Sequence, residues 1–386
     1  MKILFYQWHS FMNKGIENAL IKLNINYDKL FYQQDNWEED KKFEELLTKQ
    51  IKNSNKVYDI VFSVNFAPII SKVCEEIGIK YVSWIYDSPH LTLYSPAAES
   101  EYNYIFLFDR IQYMELSTRK IPHLFHFPLA VNTTRLNRQL GNRMQVDEYR
   151  DEVSFVGSLY DHNMYDQINY LPDYIRGYLE GLMAAQSKIY GYNFVRELIT
   201  DDIEAEMSRY VKLNFDPAYG LRDRVIFSDM VNAKLTSIER INLLEQIAKQ
   251  HPLTLYSNSD CSLVPDAKRG GIVSYSEKMP EVFRYSKINL NITLRSIESG
   301  MPLRALDVMG AGGFLLSNYQ TELAENFVDG EELVLFESEE DLLAKVEYYL
   351  QHEKERQAIA RCGWKKVCEE YSYEKRVAQI MELIQS

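Results

Sequence analysis

Arg295, Arg304 and Asp307 fall within one short stretch, Lys287 to Gln320, which reads KINLNITLRSIESGMPLRALDVMGAGGFLLSNYQ. Two guanidinium groups near a helix start suit a diphosphate, because each presents a fork of N–H donors to paired oxygens. A carboxylate one turn further on can accept both hydroxyls of a ribose. Together the three residues imply a nucleotide site. They also fit a plainer arrangement, with both arginines solvated and Asp307 placed where the positive end of a helix dipole favours an acid.

The elements that must position them are legible in the same stretch. Ile288, Leu290, Ile292 and Leu294 alternate with other residues as a strand does, and Glu298-Ser299-Gly300-Met301-Pro302 leads into a helical run from Leu303 to Met309. Pro302 suits a first helical turn. Gly310-Ala311-Gly312-Gly313 stops the helix, and Phe314 to Ser317 begins the next apolar strand. Strand, loop, helix, glycine turn and strand make a parallel-sheet unit, whose loop lies at a strand's carboxyl end below free helix N–H groups.

The same alternation predicts a sheet in the first part of the chain, with strands at 2–7, 27–32, 58–64, 79–86, 102–108 and 123–127 and helices at 14–23, 38–52, 67–77 and 109–118. Ligands of such a sheet collect past its strand ends. Asp87 and His90 share one such loop, where a carboxylate and an imidazole can act as general base and orienter, while Asp-Ser-Pro is also ordinary turn chemistry. His9, just past the first strand, is the second candidate base. The polar run Val131 to Asp151 marks a domain boundary, dividing the chain into about 1–140 and 150–370. After it, Val153 to Leu159 restarts with an apolar strand ending in Gly157-Ser158, where backbone can approach a ligand closely or simply turn.

Residues 160–235 contain no strand run and read as a helical insertion, with helices around 175–183 and at 193–212; Asp201 and Asp202 are placed as acids opening a helix. Then the pattern predicts helix 236–250, strands 253–257, 271–275, 288–294, 313–317 and 332–336 with helices between them, and final helices at 353–370 and 373–385. The fold class is therefore α/β, two doubly wound sheets with a helical insertion in the second.

Composition narrows the partners. The 386-residue chain carries a net charge of −13 and no block of Lys or Arg, which argues against a nucleic-acid partner. Its four cysteines are scattered, without CxxC or histidines at ligand spacing, so no metal site or disulfide framework is expected and a reducing cytoplasm fits. MKILFYQWHSF reads as a first strand rather than a signal peptide, and no run is long enough to be a transmembrane segment.

The pattern SxxSGMPLRALDVMGAGGFLLSNYQTELAENF, with WIYDSP at 84–89, VSFVGSL at 153–159 and the tail from Phe327 to Arg376, resembles the GT-B glycosyltransferases, specifically the bacterial branch related to the spore-maturation CgeB proteins. The resemblance implies two Rossmann-like domains, with a nucleotide-sugar donor on the second, an acceptor approaching from the first, and a last helix, 371–386, crossing back to the first. It places Gly157 and Ser158 by the donor phosphates, Tyr275 by the base and Asp307 on the ribose. In the wider fold an acid eight positions before the ribose-binding one faces the sugar. Here that position is Ser299, beside Gly300, and Glu298 stands one place further back, a departure from the pattern.

The function implied is transfer of a sugar from a nucleotide-diphosphate sugar to a hydroxyl of a protein, glycan or lipid. Helix dipole and arginines would stabilise the leaving diphosphate in the role a metal takes elsewhere. No cofactor beyond the donor is expected. An inverting enzyme needs a base, Asp87 or His9; a retaining one can do without. Two other classes fit the architecture: a nucleotide-sugar epimerase, and a non-catalytic nucleotide-sugar-binding subunit.

Overall fold

Two parallel sheets of six strands each organise the chain, one in each of two units. The computed structural model describes all residues except 35, 53–56, 142–145, 147, 169, 214–216 and 386. The first unit comprises Met1–Ala130, Phe215–Leu221 and Ser372–Ser386; the second comprises Val131–Asn214 and Arg222–Tyr371.

In the first unit the chain runs β1 (Lys2–Gln7), α1 (Asn13–Lys22), β2 (Asn26–Phe31), α2 (Lys41–Lys52), β3 (Ile60–Val64), α3 (Pro68–Ile77), β4 (Lys80–Ile85), β5 (Asn103–Leu107), α4 (Arg110–Leu116) and β6 (Leu124–His126). The central strands are largely apolar because helices cover both faces, and every residue of β3, Ser63 included, is buried. The strand order is β2-β1-β3-β4-β5-β6, all parallel. Succession therefore reverses between β1 and β3, the place where such sheets open a crevice at their carboxyl edge. His9 follows β1 and Asn65 follows β3, so both flank that reversal.

The second unit opens with α5 (Thr133–Leu140) and β7 (Asp151–Val156), followed by the helices α6 (Asp173–Gln186), α7 (Val195–Leu198), α8 (Asp201–Tyr210) and α9 (Asp223–Ala248). There follow β8 (Leu253–Tyr256), β9 (Lys268–Arg269), α10 (Met279–Tyr285), β10 (Ser286–Asn291), α11 (Leu303–Gly310), β11 (Leu315–Asn318), α12 (Thr321–Asn326), β12 (Val334–Phe336), α13 (Glu339–Gln351) and α14 (Glu353–Glu370). Strand order is β12-β11-β10-β7-β8-β9, and the reversal lies between β7 and β10. A core of Val153, Phe155, Leu244, Leu255, Leu290 and Leu316 fills the space between this sheet and its helices.

The last helix, α15 (Tyr373–Leu383), packs within the first unit. Its Tyr373 ring meets Trp84 edge-on at 5.8 Å and lies against Gly15 of α1, where an added Cβ would come within 2.4 Å of the ring. Gly15 is the residue that lets α15 lie this close.

Two expectations change. The strand predicted at 271–275 is absent: the ladder ends at β9, and Gly271, at φ +76, turns the chain away from the sheet. The helix predicted from 236 begins at Asp223 and runs 26 residues, so the insertion ends inside it. The helical stretch at 193–212 consists of α7 and α8, and Thr200, with extended backbone, caps the start that Asp201 and Asp202 open, its side chain accepting from Ile203 N–H. Within the polar run Val131 to Asp151 the second unit begins at Val131, which places α5 in it.

Candidate functional site

In the second unit, the carboxyl ends of β7 and β10 are pinned together by one side chain. Arg240, on the buried face of α9, donates from Nη1 to Ser158 O at 2.6 Å and from Nε to Ile292 O at 3.0 Å. Its guanidinium also lies over the rings of Phe155 and Tyr160. Burial pushes its pKa down to about 10, and the neighbouring Arg304 pushes in the same direction. Two cations so close to the reversal make it a place where an anion is welcome. Gly157 leads into this corner, and Ser158 also accepts from Tyr160 N–H at 3.0 Å, which folds the loop after β7 tightly.

Arg304 and Asp307 project from α11, three residues apart, with Arg304 Nη1 3.5 Å from Asp307 Oδ2. The other carboxylate oxygen accepts from the Tyr275 hydroxyl at 2.7 Å. Tyr275 is held in turn by α5: the Arg135 guanidinium lies 5.5 Å from its ring centroid, and Arg135 Nη1 donates to Ser276 O at 2.7 Å. Asp307 is only 5 % exposed. Burial raises its pKa to about 6, against the opposing pull of Arg304, the Tyr275 hydrogen bond and Arg135. Tyr275 and Asp307, singled out for different reasons, thus form one hydrogen-bonded pair, and Arg304 is the cation beside it.

Arg295 needs correcting on both readings of the sequence, since it is neither a free cation at the helix start nor solvated. It is 8 % exposed and forks onto Glu239 of α9, itself 4 % exposed, with Nε at 2.6 Å from Oε2 and Nη2 on Oε1. Nη1 donates to Ile189 O at 2.8 Å, and the guanidinium lies 4.5 Å from the Tyr190 ring centroid. Burial works against its charge, but the Glu239 carboxylate outweighs that and holds the pKa above its ordinary value. Arg295 is therefore spent on the fold.

The loop that follows is partly spoken for as well. Glu298 stands 3.4 Å from Arg196 Nη2. Ser299 is buried and donates to Glu322 Oε1 at 2.8 Å, while Glu322 N–H returns a bond to Ser299 O at 3.0 Å, which ties the loop to the start of α12. Gly300 is buried beside it.

In the first unit Asp87 follows β4 with an exposed carboxylate, and its Oδ2 accepts from Asn65 Nδ2 at 2.6 Å. Asn65 has φ +62 and its Oδ1 accepts from Tyr86 N–H at 2.8 Å, so the loops after β3 and β4 are laced together. The predicted Asp87–His90 partnership is not formed by a hydrogen bond among the described residues. His90 turns inward, Nε2 lying 3.1 Å from Phe66 N and 2.9 Å from Thr92 Oγ1. Burial pushes its pKa below the ordinary histidine value, with Asp87 pulling the other way. His9 is exposed, its ring edge-on to Phe31 at 5.1 Å.

Sequence reasoning missed Arg240, Glu239 and Arg196. The first two carried a signal, two opposite charges side by side on the apolar face of a helical run; Arg196 carried none. Among the described residues no group of three or more His, Cys, Asp or Glu side chains could hold a metal ion, and no helix is long and apolar enough to cross a membrane.

Residues 240–382 match the family model described as glycosyl transferase-like. No curated protein matches the sequence. Among solved structures the chain is similar to HepE of Anabaena in complex with UDP, at 10 % identity over 100 % of both chains and a TM-score of 0.54. It is also similar to the sucrose-phosphate synthase of Thermosynechococcus elongatus, at 11 % identity over 100 % of this chain and 98 % of that one, TM-score 0.52. A third is AviGT4, a glycosyltransferase involved in avilamycin A biosynthesis, at 12 % identity over 100 % and 98 %, TM-score 0.52. Two Rossmann-like units with parallel six-stranded sheets make this the GT-B fold.

Proposed function

We propose that the chain is a glycosyltransferase that moves a sugar from a nucleoside-diphosphate sugar to an acceptor hydroxyl on a protein, glycan or lipid, in the cytoplasm and without a metal. The observation that carries this reading is the cluster of Asp307, Tyr275 and Arg304 on and around α11, beside the corner pinned by Arg240, in a chain of GT-B fold. UDP bound to HepE, a structure of the same fold, supports a uridine nucleotide as the first to try. The CgeB-like branch is part of the proposal, resting on the motif from Ser296 to Phe327.

On this reading Asp307 accepts the ribose hydroxyls, with Tyr275 beside ribose and base. Arg304, the N–H groups at the start of α11, and Gly157-Ser158 take the diphosphate; Glu298, Ser299 and Gly300 face the sugar. The acceptor oxygen bonds to the anomeric carbon as the bond from that carbon to the diphosphate oxygen breaks, and the electron pair leaves with the nucleoside diphosphate. The acceptor's proton goes to Asp87, or to His9 if Asp87 is not the base. Positive charge and helix N–H groups act where negative charge develops on the leaving group.

The experiment is incubation with a panel of UDP-, GDP- and TDP-sugars, following nucleoside diphosphate release. Release on addition of an acceptor is the expected result; conversion of the donor to its epimer, or binding without any turnover, would replace this reading. Turnover should persist in EDTA, and loss restored by magnesium or manganese would contradict the metal-free part.

A pH dependence follows from Asp307, because only its anion accepts two hydroxyl donors. Affinity for UDP-glucose, whose diphosphate does not titrate in this range, should fall as pH drops through about 6, approaching tenfold per pH unit below it. The sign for stability is opposite. A folded-state pKa above the unfolded value means Asp307 favours the fold fully at low pH and loses that contribution as pH rises toward and through about 6. Isothermal titration between pH 5 and 8 reads the first effect, and a flat profile would show that Asp307 does not hold the ribose.

A further inference from the structure

The helical insertion is built into the loop that the proposed function assigns to the donor sugar. From the segment between α6 and α7, Asn193 Nδ2 donates to Arg295 O at 2.8 Å. On α7, Arg196 Nη2 lies 3.4 Å from Glu298 Oε1. From α9, Asp229 accepts from Ser296 Oγ, and Thr236 Oγ1 accepts from Arg295 N–H at 3.0 Å. Gly191, Tyr192 and Asn193 line a recess together with Thr293, Glu298 and Asn318 at the carboxyl ends of β10 and β11. The start of α12 holds Ile297 and Ser299 through Gln320 and Glu322, whereas the side chains that hold Ser296 and Glu298 come from the insertion, Asp229 and Arg196.

Resting on the glycosyltransferase reading, we propose that the insertion sets the donor-sugar subsite, with Arg196 and Asp229 as positioning residues that fix Glu298 and Ser296, and that the sugar taken is an uncharged hexosyl group. The charges on the loop and its supports carry the second part. Glu298, Asp229 and Glu322 are carboxylates and Arg196 is the cation among them, while Arg295 and Glu239 neutralise each other. A uronosyl donor would bring a further carboxylate into this surrounding, where like charge works against it. A hexosyl group brings hydroxyl donors, for which an oriented carboxylate is a two-point acceptor. Arg196 touches no substrate in this scheme. It acts by holding Glu298, and its loss frees a carboxylate that has to be correctly placed when the anomeric bond breaks.

The test compares wild type with Arg196→Ala, Arg196→Lys and Asp229→Ala, for the base that the wild type accepts. Affinity for the nucleoside diphosphate alone is read by calorimetry, and kcat and KM for the glucosyl, galactosyl and glucuronosyl donors by product release. Arg196→Ala and Asp229→Ala should leave nucleoside diphosphate affinity unchanged, lower kcat by roughly ten- to a hundredfold, and narrow the discrimination between glucosyl and galactosyl donors; Arg196→Lys should restore part of kcat. The wild type should turn over the glucuronosyl donor least. Should Arg196→Ala not fold, Arg196→Gln is read in the same way. Unchanged kcat and discrimination in the variants would overturn the proposal, as would nucleoside diphosphate affinity falling in proportion to turnover, which marks a merely structural role. Preference for the glucuronosyl donor would overturn its second part. A wild type that binds no nucleoside diphosphate defeats the glycosyltransferase reading itself, and this inference with it.

Discussion

Exchanging Asp87 for asparagine is expected to lower turnover by roughly two to four orders of magnitude while leaving donor affinity nearly unchanged. The carboxylate is exposed at the carboxyl edge of the first sheet, one strand from the reversal between β1 and β3. Its described partner is the Asn65 side-chain amide, so it is steadied from one side and open to a hydroxyl on the other. Asparagine keeps that shape, and its amide oxygen can still accept from Asn65, but it cannot take a proton at neutral pH. The exchange therefore separates proton acceptance from loop structure. A general base typically contributes about 10²–10⁴-fold, which sets the size of the effect. Steady-state kinetics with saturating donor decide it. Turnover within a few-fold of wild type would remove Asp87 as base and make His9→Ala the next variant. Activity retained there too would favour a retaining reaction that needs no base from the protein.

The second large effect is on stability. Glu239→Ala should cost the second unit about 3–5 kcal/mol, the range found when one partner of a buried ion pair is removed. Arg295 would keep its bond to Ile189 O but lose both carboxylate contacts, leaving a charge at 8 % exposure without its counter-ion. Replacing both partners by apolar residues of similar size, Glu239→Leu with Arg295→Met, should recover most of the loss, because no buried charge then remains. Urea unfolding followed by a probe in the second unit measures both. A single variant within about 1 kcal/mol of wild type, the range of an exposed pair, would show that the pair is solvated.

Those two residues also mark where the sequence could and could not be read. The sheets were legible because parallel strands buried on both faces are mostly apolar, as in Ile60–Val64 and Val153–Val156, where a single serine interrupts each run. The α11 unit was legible because alternation, Pro302 and the glycine stop each report on neighbours in sequence. Arg295 was misread for the opposite reason: its partner Glu239 lies 56 residues away on α9, and nothing local reveals a pairing across that distance. The strand predicted at 271–275 failed on a backbone angle, since Val273 and Tyr275 alternate as a strand does while Gly271 has already turned the chain out of the ladder. The acids opening α8 were legible as a helix start because the preference of acids for the positive end of a helix dipole is local, and Thr200 caps that start. Asp307 and Tyr275 were each identifiable; their hydrogen bond was not, because it depends on α5 holding the loop that carries Tyr275.

The central claim is that the second unit binds a nucleoside diphosphate through Asp307, and thermal unfolding with and without UDP tests it most directly. Ligand that binds only the folded state stabilises it by about 2.7 kcal/mol at a hundredfold excess over Kd. The account predicts that millimolar UDP raises the Tm of the wild type by several degrees and that Asp307→Ala, which removes the carboxylate from beneath the ribose, loses most of that shift while unfolding near the wild-type temperature without ligand. No shift with UDP, GDP or TDP, or an undiminished shift in Asp307→Ala, would contradict it.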